Sequence, residues 1–533
     1  MFVVIVKRPK NLSFLVLVLL VLLVSGSAFY LWSWLNAPYP PPTIGIEGLS
    51  TQLVGQLFFS EQIGGIQLAA APELLLRLNT GELDYVLEVD APTPGLVSWS
   101  IGQLQPVIVV PFFDRVTKMS LTDLETLIQT ESEHVLVSSS LALPGFPWSN
   151  WPVHYLSSTE VVSQLQDGMG KIGILPFQDR QPSARIVPVS GSSLPSRSLY
   201  LSRSPKGLPE RVKDRYTDHQ DLKSTYTERQ GHQMTMLAVG DIMLDRDVKK
   251  VGLQKGWEHI FSEVAPRLRQ ADLAFANLES PIGDKGHFIN MFQAPPEAMT
   301  GVASAGFDVV SLANNHALDY HHAGMFETMR LLEEHQIAWV GAGRNIHEAR
   351  APLIKEVKGV KIGFLAYTEM WFVHAREPIS WEGTEDEPGV APAQLDIIVE
   401  DIGKLRGDVD CVIVTMHWGK EYIHEPTSEQ RRLARAVIDA GADLVLGHHP
   451  HVLQGIEFYR QGVIAYSLGN FVFDINLPAT WETMILEFTL SPAGPLDMNI
   501  IPAYIFGVQP QILKGSHSAN LYDRIRDFSL KID

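Results

Sequence analysis

The rhythm of hydrophobic and polar positions changes several times along the chain. Leu12 to Leu35 holds no charged residue and many Leu and Val, a run of 24 residues where ~20 suffice to cross a bilayer core. Phe29, Tyr30, Trp32 and Trp34 gather at its far end, where aromatic rings favour the lipid–water interface. Thr43 to Ser202 mixes short strand and helix patterns: helices over Pro72 to Leu78 and Ser120 to Ile128, strands over Val107 to Val110 and Lys171 to Leu175. Arg203 to Gln233 has no sustained period and few aliphatic residues, so it reads as a solvated linker. From Met234 onward, short apolar runs alternate with stretches of helical period. Strands are predicted at Met236–Val239, Leu273–Ala276, Asp308–Leu312, Ile362–Ala366, Cys411–Thr415 and Asp443–Leu446. Helices are predicted at His259–Gln270, Gly324–His335, Pro392–Lys404 and Glu429–Ala440. Val452 to Leu490 is strand-rich. Alternation followed by a run of strands predicts a layered α/β domain with two packed sheets.

Charge orients this plan. Lys7, Arg8 and Lys10 precede the apolar run and no basic residue follows it until Arg77, which places residues 1–11 in the cytoplasm. Residues 12–35 are then a retained single-pass anchor, with a cleaved signal peptide ending near Gly26-Ser27-Ala28 as the alternative. Residues 36–43, with Tyr39-Pro40-Pro41-Pro42, form a stiff spacer. Residues 44–202 are expected to form an α/β domain, 203–233 a linker and 234–533 a second domain, all extracytoplasmic. A net charge of −18 disfavours nucleic acid as a partner. The single cysteine, Cys411, lies in an apolar run, reads as a buried strand residue and excludes an intrachain disulfide.

Candidate chemistry sits at the ends of the predicted strands. Val445-Leu446-Gly447-His448-His449-Pro450-His451 places three histidines in four positions just past a strand. Val239-Gly240-Asp241, Ala276-Asn277-Leu278-Glu279, Leu312-Ala313-Asn314-Asn315-His316 and Val414-Thr415-Met416-His417-Trp418-Gly419 follow other apolar runs. Five such ends describe one polar constellation on a sheet edge. Asp241, Glu279, Asn315, His417, His449 and His451 are the candidate metal ligands, and Asp241 and His316 the candidate catalytic residues. The mixed oxygen and nitrogen donors suit Mn²⁺, Zn²⁺ or Fe²⁺, and the lack of thiolates argues against a structural zinc. Six ligands exceed one tetrahedral ion, so two ions are the natural reading, with Glu279 able to bridge them. His316 is placed to act as an acid or charge stabiliser. Asp245, Arg246 and Asp247 read as an exposed charged turn. His321 and His322 read as solvated residues at a helix start. Gly341-Ala342-Gly343 reads as a turn, without the Lys-Ser/Thr of a phosphate loop.

These motifs carry a resemblance. Gly240-Asp241-Ile242-Met243-Leu244, Asn277-Leu278-Glu279-Ser280-Pro281, Ala313-Asn314-Asn315-His316-Ala317-Leu318-Asp319, Gly341-Ala342-Gly343, His417-Trp418-Gly419, His448-His449-Pro450-His451 and Tyr466-Ser467-Leu468-Gly469-Asn470-Phe471 occur in order. Together they resemble the CapA family of bacterial capsule and poly-γ-glutamate synthesis proteins, within the calcineurin-like metallophosphoesterase superfamily. The resemblance implies a four-layer α/β/β/α domain and a one- or two-metal centre. It also implies work on poly-γ-glutamate or a capsule-like polymer, beside the subunits of a polymer synthase. A metallophosphoesterase of small phosphoesters and a non-catalytic scaffold of the synthase are the alternatives. Two departures stand out: the superfamily's first motif has His where this chain has Met243, and an acid follows its Asn-His pair where this chain has Ala317, with Asp319 two further on. The first ion is then left with Asp241, Glu279 and His451, and the second keeps Glu279, Asn315, His417 and His449. More weakly, Leu76 to Asp84, Pro106 to Ile128 and Gly170 to Pro176 resemble type 2 periplasmic solute-binding proteins, which implies a small-anion ligand for residues 44–202, with a generic α/β spacer domain that binds no ligand as the alternative.

Overall fold

The computed structural model describes residues 232–369 and 381–532, together with parts of the stretch between residues 43 and 203. The apolar segment 12–35, the proline-rich spacer and nearly all of the linker lie outside the described residues. So do the helix predicted at Pro72 to Leu78 and most of the one at Ser120 to Ile128. Among the described residues, no helix is long and apolar enough to cross a membrane. The chain forms two compact units. One carries a five-stranded sheet in the order Gly65–Leu68, Thr43–Ile46, Tyr85–Val89, Arg197–Arg203, Val97–Leu104. The other holds the described parts of Gln103–Arg197 and of Tyr226–Asp533. Its first part is a five-stranded sheet in the order Ala184–Val187, Pro106–Pro111, Ile172–Pro176, Val135–Ser138, His154–Leu156. The helix Ser158–Gln166 packs Val161, Val162 and Leu165 against Leu136 there.

The part that matters for chemistry begins at Met234. Strands β1 (Met234–Ile242), β2 (Leu273–Leu278), β3 (Val309–Ser311) and β4 (Ala338–Val340) run parallel in the order β4-β3-β2-β1. A second sheet starts with β5 (Leu353–Val357), β6 (Val360–Thr368), β7 (Cys411–His417) and β8 (Leu444–His448), and β9 (Ile456–Tyr459) and β10 (Gly462–Ala465) complete it in the order β5-β6-β7-β8-β10-β9. The chain then returns to the first sheet. β11 (Asn470–Val472) pairs with the end of β1, and β12 (Glu482–Ser491), β13 (Gly494–Phe506) and β14 (Gln509–Ile512) extend it beyond β1.

The central strands of both sheets are buried on both faces, which is why they read as nearly continuous apolar runs. Alternate residues divide between three cores. Met236, Ala238, Phe275 and Val309 from the first sheet meet Ile362, Phe364, Ile413 and Leu446 from the second. Phe275 and Phe364 stack across that interface with centroids 5.8 Å apart. Leu237, Val239, Ala274 and Ala276 point the other way, onto helices α1 (Arg246–Lys255), α2 (Ala298–Ala305) and α3 (His321–Glu334). On the far side, Leu365, Val412, Val414 and Val445 pack on α4 (Leu395–Leu405) and α5 (Ser428–Asp439). A final helix, α6 (Gly515–Ser529), adds Leu521 and Ile525 to the core between the sheets. Helix, sheet, sheet and helix thus lie in four layers.

Helix boundaries moved for local reasons. Thr427 caps α5 reciprocally with Gln430, so that helix begins one residue before the predicted Glu429. The helix predicted at His259–Gln270 is instead two short turns, Trp257–Phe261 and Ala265–Leu268, because Pro266 can occupy only a helix start. Asp245-Arg246-Asp247 is not a free turn. Asp245 is the N-cap of α1, whose first turn Arg246 and Asp247 form.

Candidate metal centre

Parallel register brings the polar strand ends to one edge. Asp241 at the end of β1 lies opposite Asn277 on β2 and Asn470 on β11. On the other sheet, His417 at the end of β7 lies opposite His448 at the end of β8. Two glycines permit the approach. A side chain at Gly240 would meet the Gly469 carbonyl at 1.9 Å, and one at Gly447 would meet the Tyr466 carbonyl at the same distance. The Asp241 N–H donates instead to the Gly469 carbonyl at 3.0 Å.

All six predicted ligands are buried and gathered at this edge. Asp241, Glu279 and His451 form one group of donor atoms mutually within 4.8 Å, and Glu279, His417 and His449 form another. Glu279 belongs to both. Asn315 joins the second group, its Oδ1 lying 2.8 Å from His417 Nε2. A third grouping, Glu421 with His449 and His451, adds a carboxylate that the sequence reading missed, since Glu421 sits in an irregular loop four residues past His417. His449 and His451 adopt positive φ, 94° and 57°, a backbone cost of about 1–3 kcal/mol for each residue, of a kind that clusters at functional sites.

The surrounding shell was also missed. Asn277 Nδ2 lies 2.9 Å from Asp241 Oδ1 and 3.3 Å from Glu279 Oε2. Asn314 in turn donates to Asn277 Oδ1 at 3.1 Å. His448 Nδ1 lies 3.0 Å from Asp241 Oδ1, and His451 Nδ1 lies 2.9 Å from Asn470 Oδ1. Asn277 and His448 stand inside motifs whose other members were chosen as ligands; their proximity to those members was the available signal.

Electrostatics matches the geometry. Burial opposes charge on Asp241, but hydrogen bonds from His448 and His451 hold its carboxyl well below the usual range. Burial, and then the charge of Asp241, push Glu279 well above its ordinary 4.5. Burial and neighbouring imidazoles keep His417 far below 6.5 and bring His449 down to about 3, so both rings are neutral and able to ligate at neutral pH. Glu279 Oε1, His448 Nε2 and His449 Nδ1 are buried without a hydrogen-bond partner among the described residues. Buried polar atoms of this kind carry a cost that a cation would remove at Glu279 and His449. The donor set therefore fits a divalent ion.

His316 stands beside this cluster. Its Nδ1 lies 2.7 Å from the fully buried carboxylate of Asp319. That carboxylate also accepts from the Met291 and Phe292 N–H groups, at 3.1 and 2.7 Å. Asp319 is thus a partner of His316, and Asp245 accepts from the Gln293 N–H. Neither belongs to a group of potential metal donors among the described residues. Met243 is fully buried among apolar side chains, with its Sδ 3.0 Å from the Asp245 nitrogen.

Comparison with known proteins identifies the family. Residues 235–475 match the family model described as bacterial capsule synthesis protein PGA_cap. The capsule biosynthesis protein CapA of Bacillus anthracis is 35% identical over 288 residues, covering 52% of this chain and 69% of that protein. This chain belongs to the CapA family. The PGA biosynthesis protein CapA of Bacillus subtilis (strain 168) is 36% identical over 282 residues, covering 52% of this chain and 73% of its own length. A probable polyglutamine synthesis accessory protein of Mycobacterium tuberculosis (strain ATCC 25618 / H37Rv) is 30% identical over 284 residues, covering 50% and 73%. The family match spans β1 to the loop after β11, and so includes every ligand candidate.

Proposed function

We propose that this member of the CapA family is a membrane-anchored, extracytoplasmic, metal-dependent hydrolase or transferase in poly-γ-glutamate or capsule-like polymer assembly. One observation carries the reading: six buried ligand candidates and the His316–Asp319 pair converge on one sheet edge, within a capsule-synthesis family. The four layers support a metallophosphatase-like fold. The uncharged run 12–35, flanked by Lys7, Arg8 and Lys10, supports the anchor, and subunits of a membrane-bound polymer synthase are the partners that suit it. In the amino-terminal region the chain leaves one five-stranded sheet, builds a second, and returns to the first through Arg197–Arg203. The short strands and the helix Ser158–Gln166 in residues 44–202 support an α/β domain of solute-binding type with a small-anion or γ-glutamyl ligand.

Asp241, Glu279, His451, Asn315, His417 and His449 would hold one or two ions of Mn²⁺, Zn²⁺ or Fe²⁺. Such ions supply positive charge that polarises a carbonyl or phosphoryl oxygen. The protein supplies the rest. Asn277 and His448 orient Asp241, and Asn470 orients the His451 ring. With Nδ1 turned to Asp319, His316 has Nε2 free to deliver a proton to a leaving group. The reading is tested by offering the Mn²⁺-loaded full chain γ-glutamyl peptides and a panel of small phosphoesters. Turnover of the peptides supports it. Turnover confined to phosphoesters indicates a phosphoesterase, and no turnover of either indicates a scaffold.

A further inference from the structure

Arg246 is poorly explained as a structural residue. Two arginines that tie this fold together, Arg350 and Arg406, are saturated. Arg350 contacts both carboxylate oxygens of Asp401 and one of Glu400, and Arg406 donates to three carbonyls and to Asp443. Among the described residues Arg246 has one carboxylate partner, Asp474, while 40% of its side chain remains exposed. Asp474 already accepts the Asp247 N–H at 2.9 Å, so the start of α1 is capped without the guanidinium. The residue also adopts a positive φ of 51°, a strain that a non-glycine residue bears where the surroundings impose it.

Its position relates it to the metal centre. The guanidinium carbon lies 4.9 Å from the centroid of Phe292 and 5.7 Å from that of Phe473. Those rings pack edge to face on each other at 6.0 Å. Phe292 touches the His316 ring at 4.3 Å, and Phe473 touches the His451 ring at 4.8 Å. The cation is therefore seated on two aromatic rings, one in contact with the candidate proton donor and the other with a candidate metal ligand. Asp474 fixes its orientation. Against buried carboxylates and neutral imidazoles, it supplies a positive charge at the rim of the site.

Resting on the γ-glutamyl reading above, we propose that Arg246 is a specificity-determining residue that binds a free carboxylate of the substrate while the adjoining amide lies at the metal centre. A guanidinium offers a planar fork that matches a carboxylate, and a partly desolvated one seated on aromatic faces pairs more strongly than one in open water. A glutamyl chain linked through its side chains presents one free α-carboxylate beside each amide, a group that a guanidinium at the rim can bind.

The test uses the Mn²⁺-loaded full chain and two probes, γ-glutamylglutamate and the same peptide with its α-carboxylates amidated, with binding read by calorimetry and manganese content measured in parallel. The wild-type protein is expected to prefer the acid by tenfold or more. R246Q is expected to lose that preference with its manganese content unchanged, and R246K to recover part of it. Equal binding of both peptides by the wild type, or an unaltered preference in R246Q, would overturn the assignment while leaving the γ-glutamyl reading intact. Loss of manganese from R246Q would also overturn it, by showing that the residue supports the metal site. If the loaded wild type bound neither peptide, the γ-glutamyl reading itself would have failed, and this assignment with it.

Discussion

Asn315 Oδ1 and His417 Nε2 lie 2.8 Å apart, although one side chain follows β3 of the first sheet and the other ends β7 of the second. The contact joins the two sheets at the edge where the ligand candidates converge. If both atoms serve one ion, replacing Asn315 removes a ligand without disturbing a strand. Asn315→Ala should lower metal content at the second position, while Asn315→Asp should keep it, because a carboxylate oxygen can occupy the same place. Elemental analysis after dialysis decides. Equal metal content in wild type and Asn315→Ala would remove Asn315 from the ligand set.

Glu279 yields a prediction about pH. Its folded-state carboxyl is raised well above the ordinary 4.5, chiefly by burial. The folded protein thus keeps a proton that the unfolded chain releases, and metal-free stability falls as pH rises above about 4.5, by up to about 1.4 kcal/mol per unit. His417 and His449 are depressed below 6.5, and act in the opposite sense: they remove stability as pH falls below that value. Glu279→Gln eliminates only the first contribution. In metal-free protein the variant should melt higher than wild type, with the gap widening from pH 5 towards pH 8, and added Mn²⁺ should stabilise wild type far more than the variant. A constant gap across that range would contradict the assignment.

His448 tests the outer shell. It contacts Asp241 through Nδ1 and, among the described residues, belongs to none of the groups of potential metal donors. His448→Ala should weaken metal binding by on the order of 10–100-fold, as loss of an orienting partner does elsewhere, with the helix and sheet signals of circular dichroism retained. Undiminished affinity would reduce His448 to a packing residue.

Met243 bears on the balance between the two positions. With a thioether where the superfamily has an imidazole, the ion at Asp241, Glu279 and His451 should be the weaker one and leave on dialysis. Met243→His should raise retained metal at that position. The side chain is fully buried among apolar neighbours, so the contrary result would be a lower melting temperature with no added metal.

How far the sequence discloses this molecule follows from the physics of each part. Strands buried on both faces leave unbroken apolar runs, and a polar residue ending such a run stands out; that made Asp241, Glu279, His417 and His449 visible. Helix α1 was not, because Arg246–Lys255 is mostly polar, buries only Val248 and Gly252 fully, and opens with charges that read as a turn. Asn277, His448 and Glu421 were hidden differently. Their importance lies in which atoms they face across strands and loops, and residue type and spacing do not encode that. The order of strands in the amino-terminal sheets was equally illegible, since β-pairing between distant segments leaves no local periodicity.

The central claim is that six side chains from two sheets form a divalent metal centre. Its most direct measurement is the transition-metal stoichiometry of the purified full chain, before and after dialysis, beside His449→Ala. The account predicts more than one ion per chain after loading, about one retained on dialysis, and that retained ion lost in His449→Ala. A wild-type protein that takes up no Mn²⁺, Zn²⁺ or Fe²⁺ and shows no metal-induced rise in melting temperature would contradict it.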